Sequence, residues 1–193
     1  MARKSFGAKP LSYPQPVWII GTYDENGVPD AMNAAWGGIS EEREVAVCLS
    51  PEHKTCKNFA VTGAFTVSMA DEGHVAGCDY VGIVSGNDTP DKFARAGFTA
   101  VKSELVNAPI INELAVCLEC RVLSYDPETC ILRGEIVNVS VDESALTEDG
   151  QVDIRKAAPI CVDPFNGTYH AIGQAVGRAW GSGMALMGEE ARE

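Results

Sequence analysis

One segment of the sequence collects side chains that bind anions. Residues 50–59 read Ser-Pro-Glu-His-Lys-Thr-Cys-Lys-Asn-Phe, which predicts a helix capped by Ser50 with Pro51 at its first position. The helix macrodipole favours acidic residues in the first turn, yet this segment is mainly basic. A bound phosphate would explain the basic residues, because backbone N–H groups, hydroxyls and ammonium groups could converge on it. The candidate contacts are Ser50, His53, Lys54, Thr55 and Lys57. The alternative is a solvated cationic face.

A second segment is suited to a flat ligand. Residues 32–39 read Met-Asn-Ala-Ala-Trp-Gly-Gly-Ile, so small side chains stand beside one large aromatic residue. Small residues on a strand allow a planar ring to approach the backbone, whose N–H and C=O groups can bind its polar edge. The alternative is that Trp36 anchors the core, which is the commoner use of a tryptophan.

A third segment, residues 84–93, reads Val-Ser-Gly-Asn-Asp-Thr-Pro-Asp-Lys-Phe and is typical of a loop that leads into a helix. Asp88 or Thr89 can cap that helix, and Pro90 can take an early position in it. Two interpretations of Lys92 remain open: a second contact to the anion, or a solvated charge.

Other chemistry-bearing patterns are weak. Cys117-Leu-Glu-Cys120 has C-x-x-C spacing, but it lies in a predicted strand, where residues three apart face opposite sides. A structural role is therefore favoured over a metal site or a disulfide. The three histidines, His53, His74 and His170, each stand alone in the sequence, and we expect no metal site.

The usual motifs of nucleotide-binding and hydrolytic enzymes do not occur. Residues 181–183 read Gly-Ser-Gly but lack the third glycine of a dinucleotide-binding loop. A Walker A loop, a His-Glu-x-x-His helix and a Gly-x-Ser-x-Gly elbow are also missing from the sequence.

Composition narrows the classes of partner. The 193 residues carry a formal net charge of -12, which disfavours nucleic acid and anionic lipid as partners. Glycine and prolines interrupt the basic start, so no signal peptide is expected, and no apolar run reaches the roughly 20 residues of a membrane span. These features predict a cytoplasmic protein. Its seven cysteines are then most simply small buried hydrophobic residues.

The elements predicted to position these segments are mostly strands. Strands are expected at residues 17–24, 32–36, 44–49, 64–70, 114–125, 130–141 and 168–176, and helices at 53–61, 71–76 and 89–96. Because the helices do not alternate with every strand, the pattern favours an antiparallel barrel with helices at its ends over a doubly wound α/β fold. We expect one domain over residues 1–193, with its barrel core at about 14–176 and a solvated tail at about 188–193.

Over residues 16–173 the sequence resembles the flavin reductase-like, FMN-binding split-barrel family, in its flavoredoxin branch. The resemblance is carried by the order and spacing of several motifs. These are Pro16-Val17, Met32-Asn-Ala-Ala-Trp36, Val47-Cys-Leu-Ser-Pro-Glu-His-Lys-Thr55 with Asn58, Cys78-Asp-Tyr-Val-Gly-Ile-Val-Ser-Gly86, Asp91-Lys-Phe93, Ala108-Pro109 and Leu118-Glu-Cys120. It implies a mostly β, six-stranded antiparallel Greek-key split β-barrel with short peripheral helices. It also implies a homodimer that holds one FMN per subunit near the interface.

The resemblance also assigns site residues. Those expected to line the isoalloxazine ring are Asn33, Ala34, Ala35 and Trp36. Those expected around the phosphate are Ser50, His53, Lys54, Thr55 and Asn58. Ser85 and Lys92 belong to a second loop that closes over the site, and His170 lies near it on the last strand. Many relatives carry a hydroxyl residue where this chain has Ala35, so a hydrogen bond to the flavin from that side chain is not expected.

Two functional hypotheses follow. In the first, the protein is a redox flavoprotein that takes electrons from NADH, NADPH or a reduced partner protein and passes them on through FMN. The flavin then performs the chemistry and the protein sets its orientation and electrostatics, so no side chain is expected to be a catalytic acid or base. In the second, the protein binds FMN or carries electrons without NAD(P)H turnover. A purely structural barrel is a third alternative.

Overall fold

An antiparallel sheet dominates the computed structural model, which describes residues 2–187. Its spatial order is β3 (Pro29–Ala34), β2 (Trp18–Tyr23), β6 (Ala64–Met69), β9 (Val116–Asp126), β10 (Ile131–Val141), β5 (Glu44–Cys48) and β4 (Gly37–Glu41). The sheet curls into a half-barrel, which confirms the predicted mostly β split-barrel class. Within the described residues this main sheet has seven strands rather than the expected six.

Shorter elements surround this sheet. A small sheet joins β1 (Gln15–Pro16), β11 (Ile160–Asp163) and β12 (Thr168–Ala171), and a hairpin joins β7 (Ala100–Lys102) to β8 (Pro109–Ile111). The α-helices are α1 (Lys54–Thr62), α2 (Val75–Ile83), α3 (Lys92–Arg95) and α4 (Ile154–Ala157), and 3-10 turns occupy Glu143–Ala145 and Met184–Leu186. None of the helices in the described part of the chain has the length and apolar character needed to cross a membrane.

Strand β2 is buried on both of its faces. Trp18 and Ile20 belong to the cluster inside the curled sheet, which includes Phe59 of α1. Val17 and Ile19 point the other way, into a second cluster formed with α2 and α3. The apolar run of residues 17–20 is therefore explained by packing on two sides, since successive residues of a strand face opposite ways. This packing holds α1, α2 and α3 close to the edge of the sheet formed by β3.

The predicted helices exist, but their starts differ. Helix α1 begins at Lys54 and its N-cap is His53, so the expectation that Ser50 caps it with Pro51 as first residue was wrong. The carbonyl of Ser50 instead accepts the N–H of His53 at 3.2 Å, which closes a tight turn before the helix. Helix α2 runs from Val75 to Ile83, so it shares only residues 75 and 76 with the predicted range 71–76.

A local hydrogen bond explains the late start of α2. The carboxylate of Asp71 accepts the backbone N–H of His74 at 2.9 Å and contacts its imidazole at 2.8 Å. An Asx-type turn of this kind competes with helix formation. Helix α3 is also shorter than predicted, since it covers only Lys92–Arg95 of the expected range 89–96.

Several strand predictions also need correction. The return strand is Pro29–Ala34 and not residues 32–36, and the last strand ends at Ala171 rather than at residue 176. Strands β1, β4, β7, β8 and β11 were not predicted, because each has five residues or fewer and pairs with a partner distant in sequence or across a short hairpin. The predicted solvated tail at 188–193 lies outside the described residues.

Candidate functional site

Two adjoining cavities lie where α1 and α2 meet β3. The larger cavity has a volume of about 520 Å³ and the smaller one about 180 Å³. Both are lined by Met32, His53, Gly82 and Ile83, so the two cavities share part of their lining and together make up the groove. Residues that line only the larger cavity include Asn33, Ala34, Ala35, Trp36, Ser50 and Tyr169. Residues that line only the smaller one include Lys54, Thr55, Ser85, Gly86 and Lys92.

Small residues at the end of β3 form one wall of the larger cavity. Ala34 is buried and Ala35 follows it as the chain leaves the strand, so the backbone is accessible to a planar group. Trp36 is 48% exposed at the rim of this cavity. The interpretation of Trp36 as a core anchor was therefore wrong, because its ring faces the cavity and solvent instead of the interior.

A hydrogen-bonded chain of three side chains lines the larger cavity. Tyr169 donates its hydroxyl proton to Asp79 at 2.7 Å, and the amide of Asn33 donates to the Tyr169 oxygen at 3.4 Å and to the carbonyl of Cys78 at 3.1 Å. Burial and the adjacent Asp79 raise the pKa of Tyr169 to about 12. The hydroxyl therefore remains protonated at neutral pH.

Asp79 and Tyr169 were missed by the sequence analysis, which selected His170 instead. Alternation along β12 places residues 169 and 170 on opposite faces. His170 is exposed, contacts the Thr168 hydroxyl at 2.8 Å and does not line either cavity. Alternation along residues 168–171 separates the two faces of the strand, but the local sequence does not show which face meets α2.

The smaller cavity lies between the start of α1 and the loop that follows α2. The first N–H groups of a helix have no partner within it, and here Lys54 and Thr55, which carry two of these groups, line the cavity together with Ser85. The side chains of Lys54 and Thr55 each contact an aspartate. Lys54 Nζ lies 3.4 Å from Asp24 Oδ2, and the Thr55 hydroxyl donates to Asp30 Oδ2 at 3.1 Å.

Lys92 is a buried cation. Its residue is 3% exposed, and its Nζ lies 3.3 Å from Asp30 Oδ1. It also donates to the carbonyls of Val84 at 3.1 Å and Val81 at 3.3 Å. The interpretation of Lys92 as a solvated charge was therefore wrong. The lysine belongs to the wall of the smaller cavity and is held there by acceptors from the chain itself.

Asn58 does not reach either cavity. It is buried on α1, and its amide donates to the Thr22 hydroxyl on β2 at 3.0 Å. The structure thus brings together ten of the twelve predicted site residues, while Asn58 and His170 stay outside the groove. The roles of all twelve residues toward a cofactor remain predictions.

Carboxylates balance much of the positive charge expected near residue 50. The N–H of Val28 lowers the pKa of Asp24, with the N–H of Asn26 and the ammonium of Lys54 acting in the same direction. Burial raises the pKa of Asp30, although its contacts with Lys92 and Thr55 oppose that effect. The groove therefore carries a local network of paired charges rather than a cluster of free cations.

The seven cysteines differ in burial. Those at positions 56, 78, 117 and 120 are buried, as expected. Cys120 belongs to the cluster inside the curled sheet, whereas Cys117 is absent from that cluster, in agreement with the predicted opposite faces. Cys48 departs from the prediction, because it is exposed and lines the larger cavity next to Leu49. Cys130 and Cys161 are only half-buried.

Comparison with known proteins adds three findings. The family model described as "Flavin reductase like domain" matches residues 11–170. The structure of flavoredoxin from Desulfovibrio vulgaris (Miyazaki F) is 38% identical, with a TM-score of 0.90 over 94% of this chain and 100% of that one. A flavoredoxin from Methanosarcina acetivorans is 28% identical, with a TM-score of 0.87 over 96% and 100% of the two chains.

A more distant structure shares the fold alone. It is an FMN-binding domain of a flavin reductases-like enzyme from Shewanella baltica OS155, 17% identical, with a TM-score of 0.75 over 85% of this chain and 89% of that one.

Proposed function

Since the chain belongs to the flavin reductase-like domain family, we propose that it binds FMN and works as a redox flavoprotein. The observation that carries this proposal is the groove, whose larger cavity is lined by small residues and whose adjoining smaller cavity is lined by a helix start and lysines. Two relatives reported above are flavoredoxins, and the Shewanella baltica domain is described as FMN-binding.

The groove fits the two ends of FMN. A planar tricyclic ring needs a flat wall with accessible backbone, which residues 33–35 supply, and Trp36 can cover one edge of it. A phosphate needs N–H donors and a cation, which the start of α1, Lys54 and Ser85 supply in the smaller cavity. The two cavities share four lining residues, so the ring and the phosphate of one FMN would lie in neighbouring sites.

The chain's contribution is binding and orientation. FMN, when bound, supplies the chemistry of electron transfer, and the protein sets its position and surroundings. Residues 33–36 would hold the ring against β3, and the Asp79–Tyr169 pair would keep a protonated hydroxyl at the cavity wall. Lys54 would hold the phosphate end. We retain the sequence prediction that no side chain serves as a catalytic acid or base.

The test of FMN binding is a titration with purified protein. Addition of FMN should quench flavin fluorescence with a saturable isotherm, and Lys54→Ala combined with Thr55→Ala should weaken binding by roughly tenfold or more. Lys102→Ala is the control, because Lys102 is exposed on β7 and its substitution removes the same charge at a position away from the groove. A colourless protein that takes up no FMN would refute the proposal.

A second measurement separates turnover from carriage. The FMN-loaded protein is mixed anaerobically with NADH or NADPH, and flavin absorbance is followed. We infer that at least one of the two nucleotides, NADH or NADPH, bleaches the flavin at a catalytic rate. Bleaching only after addition of a reducing partner protein would instead indicate an electron carrier, and no bleaching under either condition would indicate a binding module.

The cytoplasmic location inferred from the sequence stays a prediction.

We also infer that the protein is a homodimer with the groove near the interface. Two large apolar side chains at the rim support this, since Trp36 is 48% exposed and Ile83 is 75% exposed. Exposed apolar surface beside a ligand groove is typical of an interaction site. Sedimentation equilibrium should give about twice the chain mass of 20.5 kDa, and Ile83→Asp should shift the protein toward a monomer. A wild-type monomer at micromolar concentration would contradict the inference.

A further inference from the structure

A buried carboxylate connects the elements around the smaller cavity without lining that cavity. Asp30, on β3, is 5% exposed. One of its oxygens accepts the Thr55 hydroxyl at the start of α1, and the other lies 3.3 Å from the ammonium of Lys92 on α3. Both partners line the smaller cavity.

Lys92 extends this connection to the end of α2. Its ammonium donates to the carbonyls of Val81 and Val84, in the last turn of α2 and just after it. The loop then passes so close to Asp30 that a Cβ at Gly86 would collide with the carboxylate. Asp30 thus ties the helix start on one side of the cavity to the loop on its other side.

The same contacts decide which groups remain for an anion. A lysine has three N–H donors, and Lys92 has three acceptors within the chain, namely Asp30, Val81 and Val84. The Thr55 hydroxyl directs its single proton to Asp30, so it presents lone pairs to the cavity. The donors left for a phosphate are Lys54, Ser85 and the backbone N–H groups at the start of α1.

We propose that Asp30 is a positioning residue for the phosphate end of FMN, acting through Thr55 and Lys92. The proposal rests on the proposed function of the groove. The buried Asp30–Lys92 pair fixes the distance between the start of α1 and the loop at residues 84–86. At that distance Lys54, Ser85 and the N–H groups of the helix converge on one phosphate. A buried pair is weak evidence for stability, because desolvation offsets much of its Coulomb attraction. Its location between two cavity walls instead indicates that the pair positions these walls relative to each other.

The test compares FMN with riboflavin, which has the same ring and lacks the phosphate. In Asp30→Asn, the dissociation constant for FMN should rise by roughly tenfold, while that for riboflavin should stay within about twofold of wild type. Asp91→Asn is the matched control, since Asp91 precedes Lys92 and pairs with Arg95 at the surface. It should leave both constants unchanged. An equal loss for both flavins, or no loss for FMN, would overturn the proposal.

A second set of variants protects the test against misfolding. Asp30→Asn leaves Lys92 without its counter-charge, so Thr55→Val is made separately and keeps that ion pair intact. Thr55→Val should weaken FMN selectively, and Thr55→Ser should restore it. Because Asp30 acts partly through Thr55, the Asp30→Asn, Thr55→Val double variant should lose less FMN affinity than the product of the single losses. The proposed action of Asp30 through Thr55 would be refuted if the loss of FMN affinity in the double variant equalled the product of the two single losses. Wild-type FMN affinity in Thr55→Val would refute it as well.

These outcomes differ from a failure of the FMN proposal itself. If the wild-type protein binds neither flavin, the proposed function is wrong. If it binds FMN more tightly than riboflavin and Asp30→Asn keeps that preference, only the role of Asp30 is wrong.

Discussion

Cys48 is the thiol that an occupant of the larger cavity would cover. It is exposed at the end of β5 and lines the cavity together with Trp36 and Ser50. Burial raises the pKa of Cys78 to about 12, and the same is true of Cys117 and Cys120. Since the thiolate is the reactive form, these buried cysteines are poorly reactive in the folded protein.

We predict that bound FMN protects Cys48 from alkylation. In the ligand-free protein a maleimide should modify Cys48 first, as found by mass spectrometry of peptides, and saturating FMN should slow that reaction by about tenfold or more. Cys48→Ser should remove the fast phase of labelling. If FMN binds but leaves the labelling rate at Cys48 unchanged, the ring does not occupy the larger cavity.

At the scale of single residues, the sequence identified the site by residue type but not the partners of each side chain. Lysines near residue 50 and at residue 92 could be selected because cations suit a phosphate. That Lys92 pairs with Asp30 depends on a contact between residues 62 positions apart, which no local pattern encodes. Tyr169 was missed for the same reason, since its partner Asp79 is 90 positions away.

Among the elements, α2 and β3 pack closely together at Gly82. A Cβ at this position would lie 2.9 Å from the Cβ of Asn33, closer than ordinary van der Waals contact. Gly82 also lines both cavities. The absence of a side chain here therefore sets the distance between the helix and the strand that carries the small residues.

We predict that Gly82→Ala moves α2 away from β3. Alanine favours a helix by about 1 kcal/mol over glycine, but overpacking costs roughly 1–3 kcal/mol, so the free energy of unfolding should fall slightly. FMN affinity should fall together with it. Urea unfolding and the FMN titration measure the two effects.

The control for this variant is Gly173→Ala. No heavy atom lies within 4 Å of a Cβ built at Gly173, so both the stability and FMN affinity should stay at wild-type values. Wild-type FMN affinity in Gly82→Ala would show that the groove tolerates a wider separation of α2 and β3.

Elements with strong internal periodicity were predicted well. The hairpin of β9 and β10 was expected at residues 114–125 and 130–141 and is found at Val116–Asp126 and Ile131–Val141. The start of α1 was misplaced because a Ser-Pro pair is typical of a helix N-terminus and also of a turn. Here Ser50 and Pro51 lie in the turn that precedes the helix. Edge strand β4 was missed because Gly37 and Gly38 weaken a strand pattern, whereas pairing with β5 stabilises it in the folded chain.

For the molecule as a whole, the buried thiols link folding to pH. Burial raises the pKa of the Cys78, Cys117 and Cys120 thiols from 9.0 to about 12. Above about pH 9 the unfolded chain releases these protons first, since its thiols keep their ordinary pKa. The stability contributed by the neutral thiols is thus fully present below pH 9 and is lost as the pH rises toward 12. The phenol of Tyr169 acts in the same direction above pH 10.

We therefore predict that the free energy of unfolding falls as the pH rises above about 9, with up to about 1.4 kcal/mol per pH unit for each of the three buried thiols. Urea unfolding in the presence of a reductant, at about pH 7 and about pH 10, measures the loss. Cys78→Ala should lower stability at neutral pH because it leaves a cavity, yet it should lose less on going to pH 10 than wild type does. Cys48→Ala, at an exposed position, should lose as much as wild type. An equal alkaline loss in both variants would show that repulsion within the acidic chain, with its net charge of -12, and not the buried thiols, sets the alkaline limit of the fold.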